Sequence, residues 1–238
     1  MTQNKQRFEI KFLIPAALES IVLHELLVFT RPDPQAGANG AYRVRSLYFD
    51  NANLDAWREK CAGLLNRSKF RIRCYPEAST PVRFLEQKKR FSNRISKPKV
   101  ALTEEQYRCL LRGHFVSFPE QVEVWDAFWS HNARSRMNPL LNIEYLRRPL
   151  VGKVDRGLRV TFDRQITVQK AQALESSSAC HPVLRPGHSL LEIKFNHTCP
   201  SWVNRLVQKY SLTDQAFSKY CLGLETLGRR GVYFVATP

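Results

Sequence analysis

The feature that most constrains this chain is a two-residue alternation at Lys69-Phe70-Arg71-Ile72-Arg73. Successive side chains of a β-strand point to opposite faces, so the three cations share one face and Phe70 and Ile72 share the other. An amphipathic strand ordinarily buries its apolar face and leaves its charges in water. Three cations in a row on one face repel each other, which costs stability unless something negative lies against them. The weight of the pattern therefore depends on how often it returns.

It returns in six further stretches. Arg7/Glu9/Lys11, Arg43/Arg45, Glu86/Lys88/Arg90, Tyr145/Arg147, Arg159/Asp163 and Glu192/Lys194 each place polar or charged groups at even spacing. In most of them the alternate residues are bulky and apolar, such as Phe8, Ile10, Val160, Phe162, Leu191 and Ile193. Two arrangements satisfy this. A flat sheet would expose a broad cationic face, whereas a closed barrel would turn the charges into a lumen and remove the sheet edges. Cations in a cavity stay charged only where a polyanion, water or carboxylates offset them. Polyphosphate chemistry suits such a cavity: Arg grips phosphate bidentately, Lys acts as a point charge, and carboxylates pair with cations or hold a divalent metal.

The net charge of +16 and the pI of about 9.9 agree with a polyanionic partner, whether nucleic acid, anionic membrane or a phosphate-rich small molecule. A chain of 238 residues with 43% hydrophobic residues can bury a core as one large domain or two small ones. No apolar run approaches the roughly 18–20 residues that span a bilayer. The polar start Met1–Gln6 does not read as a signal peptide, so a cytoplasmic location is expected. The cysteines (Cys61, Cys74, Cys109, Cys180, Cys199 and Cys221) form no Cys-x-x-Cys pair and read as free thiols.

Taken in order, the sequence predicts a strand at Arg7–Leu13, a helix over Ala16–Phe29 opened by Pro15, and a Pro/Gly-rich loop at Arg31–Gly40. A strand at Tyr42–Asp50, a short helix within Asn51–Lys60, and strands at Arg67–Tyr75 and Val82–Phe91 follow. Arg90–Lys99, with Arg90, Arg94, Lys97 and Lys99, reads as a solvated basic loop. Thr103 and Gln106 stand at capping-box spacing, and Glu120–Trp129 reads as a second helix of one helical insertion, about 103–131. Trp125 and Trp129, four apart, share a helix face. Further strands are expected at Leu141–Arg148, Leu158–Asp163 and Leu190–Phe195, with a loop around Ser176–Ser178 and helices at Trp202–Tyr210 and Gln215–Leu227. The absence of regular βαβ alternation argues against a doubly wound fold. The whole chain, 1–238, is expected to form a single domain of class α+β.

Certain residues in this order also carry a resemblance. They are Glu9-Ile10-Lys11, Ser46-Leu47-Tyr48-Phe49-Asp50-Asn51, Arg58-Glu59-Lys60 with Gly63, Arg67–Arg73, Glu86-Gln87-Lys88, Tyr145-Leu146-Arg147, Leu158–Asp163, Leu191-Glu192-Ile193-Lys194 and Phe217-Ser218-Lys219-Tyr220. Together they resemble the VTC (vacuolar transporter chaperone) polyphosphate polymerase domain, of the triphosphate tunnel metalloenzymes, from Arg7 to about Gly223. The resemblance implies an eight-stranded antiparallel β-barrel with helices packed outside. It implies transfer of the γ-phosphoryl group of ATP to a polyphosphate chain end, assisted by a divalent metal, Mn²⁺ or Mg²⁺. By motif position Lys11, Arg71, Arg73, Lys88, Arg147, Arg159 and Lys219 would grip the reacting phosphates. Arg58, Lys69, Tyr145, Lys194 and Arg45 would be supporting phosphate contacts. Glu192 is the first candidate metal ligand, followed by Glu86 and Glu9. No side-chain nucleophile is needed, because positioning and charge neutralisation suffice for phosphoryl transfer.

Two positions depart from the wider pattern: Arg7 replaces a first glutamate, and Pro149 follows the Tyr-x-Arg motif where a small residue is common. The likeness is to the stand-alone prokaryotic type, without a regulatory phosphate-sensing domain or membrane segments. Read without the family, Glu9/Lys11 and Glu192/Lys194 are simple same-face ion pairs, and Lys219 is a snorkelling lysine on an apolar helix. His181, His188 and His197 lack metal-ligand spacing and read as loop histidines. The functional alternatives are a triphosphatase and a non-catalytic polyphosphate- or nucleotide-binding module. Nucleic-acid binding ranks last, since the aromatics alternate against the charges and so lie on the opposite face.

Overall fold

The structure is a computed structural model that describes residues 7–92, 94–118, 122–196 and 198–231, with the side chains of Arg7 and Arg94 also outside the description. His197, the polar N-terminal stretch and the expected start of a helix at Glu120 lie outside the described residues. The chain begins with β1 (Arg7–Pro15), α1 (Ala16–Phe29), β2 (Thr30–Pro32), β3 (Tyr42–Asp50), α2 (Asp55–Cys61), β4 (Arg67–Cys74) and β5 (Arg83–Phe91). It continues through β6 (Arg94–Ser96), β7 (Lys99–Leu102), α3 (Glu104–Arg112), α4 (Glu123–Ser135), β8 (Asn138–Gly152) and β9 (Arg159–Lys170). It closes with β10 (His181–Pro182), β11 (His188–Asn196), α5 (Ser201–Lys209) and α6 (Lys219–Arg229). The strands follow the hydrogen-bonded order β1-β11-β9-β8-β3-β4-β5-β6, with β2 on β8, β10 on β9 and β7 on β5. The fold class is the expected one: α+β, an antiparallel sheet whose main path holds eight strands, with three short strands paired beside it and helices packed on its apolar side. Two compact units divide it, Met1–Arg43, Tyr145–Ile166 and Leu184–Phe217 in the first, and Val44–Glu144, Thr167–Val183 and Ser218–Pro238 in the second.

In the first unit β1 pairs with β11 from Arg7↔Asn196 to Pro15↔His188, and β11 pairs with β9 from Leu190↔Asp163 to Lys194↔Arg159. One face carries Phe12, Ile14, Val160, Phe162, Leu191 and Ile193, and α1 and α5 cover it with Val22, Leu26, Val203 and Leu206. α1 starts directly after Pro15, whose missing N–H costs nothing at a helix start. It stops at Thr30, whose hydroxyl donates to the Leu26 carbonyl at 2.7 Å. Glu19, fully buried on α1, accepts from Arg164 Nε with both oxygens at 2.7 Å, so its charge is matched within the core edge.

In the second unit β4 lies between β3 and β5. Phe70 and Ile72 are buried with Leu47, Phe49 and Leu85, and the edge of Phe128 of α4 meets the rings of both Phe49 (5.3 Å) and Phe70 (5.4 Å). The Trp125/Trp129 face packs on this core as the spacing predicts. Thr103 and Gln106 form the expected reciprocal capping box, Gln106 N donating to Thr103 Oγ1 and Thr103 N to Gln106 Oε1. The start of α2 is secured by Asp50, whose Oδ1 accepts from Asn51 N and Ala56 N and whose Oδ2 accepts from Trp57 N and from the Tyr220 hydroxyl at 2.5 Å.

The segment expected as a solvated basic loop forms two short strands instead. β6 pairs with β5 through Lys89↔Ser96 to Phe91↔Arg94, and β7 through Arg83↔Leu102 to Glu86↔Lys99. The β5 edge offers unpaired backbone groups that satisfy the segment's own, an advantage that side-chain polarity does not reveal. β8, β9 and β11 also extend beyond the apolar runs that announced them.

Candidate functional site

In the second unit the charged face of β4 meets β5 in a fixed register. Arg67 lies opposite Arg90, Lys69 opposite Lys88, and Arg71 opposite Glu86. Two successive cross-strand pairs are thus of like sign, an arrangement that destabilises a sheet in the absence of an anion. Arg71 is held differently. Its Nε and Nη2 both donate to Glu86 Oε2, at 2.8 and 2.6 Å, and its Nη1 donates to the Tyr48 hydroxyl at 3.0 Å. Arg73 approaches the same Glu86 oxygen at 3.7 Å and donates from Nε to Ser46 Oγ at 3.3 Å. Burial alone would raise the Glu86 pKa, but Arg71 and Arg73 outweigh it and hold the carboxyl below its usual value. Glu86 therefore has an observed task, fixing two guanidinium groups on one face.

Tyr48 joins this cluster although the sequence analysis gave it no role. Burial opposes its ionisation, but Arg71, Arg73 and Lys219 outweigh it and hold the phenol below the ordinary tyrosine value. Its ring stacks on Tyr220 at 5.2 Å. The available signal was parity: Ser46, Tyr48 and Asp50 alternate on one face of β3, and Ser46 and Tyr48 lie opposite Arg73 and Arg71. The same parity corrects the placement of Arg43 and Arg45 on the cationic face. Arg45 lies opposite Cys74, on the side of Leu47 and Phe49, where it donates to Glu144 Oε2 at 2.6 Å and to the Leu174 carbonyl at 3.2 Å. Lys69 donates to Cys221 Sγ at 3.3 Å and lies over the Tyr220 ring at 4.6 Å. Lys219 opens α6 half-buried, and Arg58 is exposed on α2.

In the first unit the charges of β1 and β11 meet with opposite sign. Glu9 lies opposite Lys194, and Lys11 opposite Glu192. Lys11 Nζ is 2.7 Å from Glu9, and Lys194 Nζ is 2.7 Å from Glu192 and 3.8 Å from Glu9. Lys11 also donates to the Phe217 carbonyl at 3.0 Å. Arg147 grips the fully buried Asp163 with two parallel 2.7 Å bonds, lies 4.0 Å from Glu192, and has its guanidinium 5.1 Å from the Tyr145 ring centre. Burial works against the Arg147 charge, but Asp163, Tyr145 and Glu192 outweigh it and raise its pKa well above the ordinary value. Arg159, opposite Lys194 on β11, is half exposed and paired with Asp33 at 3.2 Å. The same-face ion pairs foreseen as alternatives at Glu9/Lys11 and Glu192/Lys194 are present.

The metal candidates are distributed accordingly. Glu86 lies in the second unit; Glu9 and Glu192 lie in the first, on either side of the Lys194 ammonium. Among the described residues no group of three His, Cys, Asp or Glu side chains could hold an ion. Thr161, opposite Glu192 on β9, has a buried hydroxyl without a partner. Two carboxylates and a hydroxyl are hard oxygen donors. They suit a small divalent ion that completes its shell with water and phosphate oxygens.

Comparison with known proteins bears on the fold and the family. A crystal structure of a Bacillus halodurans protein, whose name assigns it provisionally as an adenylate cyclase, aligns over 91% of this chain and 96% of its own with 15% identity and a TM-score of 0.56. The PH1819 protein of Pyrococcus horikoshii aligns over 92% and 99% with 14% identity and a TM-score of 0.46. The first likeness shows a shared fold. No curated protein matches the sequence. Among the described residues no helix is long and apolar enough to cross a membrane. The model of the VTC domain matches residues 6–228, which includes every strand and all but the last residue of α6, and on that match this chain belongs to the VTC domain family.

Proposed function

We propose that this protein is a metal-dependent phosphotransferase of the polyphosphate polymerase type, acting on ATP and a polyphosphate chain. The observation that carries the reading is the like-charge register of β4 and β5, where Arg67 faces Arg90 and Lys69 faces Lys88 beside Arg71 and Arg73. A linear polyanion along this face turns two repulsive pairs into attractive ones. Membership of the VTC domain family supports the same substrate class.

In this reading Arg71 and Arg73, pre-oriented by Glu86, Tyr48 and Ser46, donate to phosphate oxygens without a rotamer search. Lys69, Lys88 and Lys219 supply point charges in the same unit. In the first unit Lys11, Arg147, Arg159 and Lys194 bind phosphate, and Tyr145 supports Arg147. The charge that develops on the phosphoryl oxygens is met by cations already in place, which is the main contribution a protein makes to this reaction. Glu192, with Glu9, would hold a divalent metal, which when bound neutralises phosphate charge. Arg45 and Arg58 have no assigned part, since one lies on the opposite strand face and the other is exposed.

The test is incubation of the protein with ATP and Mn²⁺. Long-chain polyphosphate is expected. Release of inorganic phosphate alone would identify a triphosphatase, and tight triphosphate binding without turnover would identify a binding module. Arg73→Ala and Lys88→Ala should each weaken polyphosphate binding at least about tenfold, the loss of one charge-assisted contact. Unchanged binding in both variants would remove the β4–β5 face from the site.

A further inference from the structure

One end of the second unit exposes apolar side chains among cations. β5 and β6 form a hairpin whose last pairs are Arg90↔Ile95 and Phe91↔Arg94, with Ser92 in the turn at a left-handed φ of 53°. The loop between α2 and β4 lies beside it. Ser92 N donates to Asn66 Oδ1 at 3.0 Å, and Arg67, which pairs with Arg90, donates to the Leu64 carbonyl. These bonds gather Leu64, Leu65, Phe91 and Ile95 at one end of the sheet, where each is between 43% and 63% exposed. Between Gln87 and Thr103 the chain has six cations, Lys88, Lys89, Arg90, Arg94, Lys97 and Lys99, and no carboxylate. The loop at 61–66 has no carboxylate either. The phosphate chemistry proposed above gives no part to Lys89, Phe91, Ile95 or Lys97.

We propose that the tip of the β5–β6 hairpin, with the Leu64–Leu65 loop, is a docking site for an anionic lipid bilayer. The site goes beyond the phosphate reading and stands without it. Phe91 and Ile95 occupy adjacent pairs of the ladder, so they lie on opposite faces of the hairpin. A partner that grips one face would leave the other apolar group in water. A tip that is apolar on both sides suits entry end-on into a soft apolar layer. Nucleic acid or polyphosphate would match the cations but leave Leu64, Leu65, Phe91 and Ile95 without a role. An anionic bilayer matches both sets. Phe91 and Ile95 enter the boundary between headgroups and acyl chains, with Leu64 and Leu65 beside them, while the exposed Lys89 and Lys97 meet lipid phosphates. An apolar tip or a basic patch alone holds a bilayer weakly, and here the two act together.

The test sediments the full chain with vesicles of phosphatidylcholine alone, or of phosphatidylcholine and phosphatidylglycerol in equal parts. Binding is expected only to the anionic vesicles, weakening as salt is raised. The double variant Phe91→Ser, Ile95→Ser should bind them at least about tenfold more weakly with an unchanged melting temperature, because both side chains are already exposed in the fold. No binding by the wild type, or equal binding by the variant, would overturn the site. Loss of binding to a double-stranded DNA fragment in that variant, without loss of vesicle binding, would make nucleic acid the occupant and overturn it equally. Hydrogen exchange of the wild type on anionic vesicles needs no variant. Slower exchange is expected in peptides covering 62–66 and 91–95, and slowing confined to other segments would place the contact elsewhere and overturn the site.

Discussion

Glu86→Gln separates two roles for one carboxylate. In the structure Glu86 Oε2 receives two bonds from Arg71, at 2.8 and 2.6 Å, and lies 3.7 Å from Arg73, with all three side chains only 12–16% exposed. A hydrogen bond to a charged group is worth about 1.5–3 kcal/mol, and breaking a buried pair about 3–5 kcal/mol. Glutamine keeps an acceptor oxygen in place, so the loss is mainly the charge and is expected at about 2 kcal/mol near pH 7. For a chain of this length that lowers Tm by about 4–8 °C. The pH dependence has a definite sign. The folded-state pKa of Glu86 is depressed, so on acidification the unfolded chain takes up the proton first. The stabilisation is complete above the unfolded value, about 4.3, and is lost as pH falls through the folded value. Melting curves of wild type and Glu86→Gln from pH 7 to pH 3 should therefore converge at the acid end. The same variant should bind polyphosphate several-fold more tightly, because Arg71 and Arg73 no longer share a competing anion. Equal stability at pH 7, or parallel pH curves, would refute the arginine-holding role. Weaker binding together with loss of the Mn²⁺ requirement would make Glu86 a metal ligand instead.

Two further substitutions probe the scaffold of each unit. Phe70→Ala removes a side chain 1% exposed at the centre of a cluster that includes Phe49 and Phe128, and should cost about 3–5 kcal/mol in urea unfolding. Arg147→Lys keeps the charge but loses the fork that satisfies both oxygens of the buried Asp163, and should cost about 2 kcal/mol by the same measurement.

Much of this was legible in residue parity. Lys69–Arg73 announced a strand with two unlike faces, and the observed β4 buries Phe70 and Ile72 under α4. Thr103 and Gln106 specified their helix start because both partners of the capping box are local. Parity within one strand does not say which residues face one another, however. That Lys69 meets Lys88 while Lys11 meets Glu192 depends on register, which hairpin geometry and distant strands decide. Arg45 shows the same limit: its even spacing from Arg43 was real, but only pairing with β4 reveals that the face it occupies belongs to Cys74 and Leu47. β6 and β7 escaped because short edge strands in a basic segment owe their structure to the backbone they pair with. Tyr48 escaped because a tyrosine among Leu47 and Phe49 reads as core until Arg71 is placed against its hydroxyl.

The strand order also sets a timetable for synthesis. β1 leaves the ribosome long before its neighbour β11, residues 188–196. At ordinary elongation rates of about 5–20 residues per second, the apolar side of β1 waits on the order of 10–40 s for that neighbour. Each compact unit is likewise assembled from three separated segments, the last ending at Phe217 or beginning at Ser218. Neither can close while most of the chain is still being made. Each unit therefore closes only after its last segment is made, and for that interval β1 offers chaperones or another copy an unpaired edge beside the apolar Phe12 and Ile14.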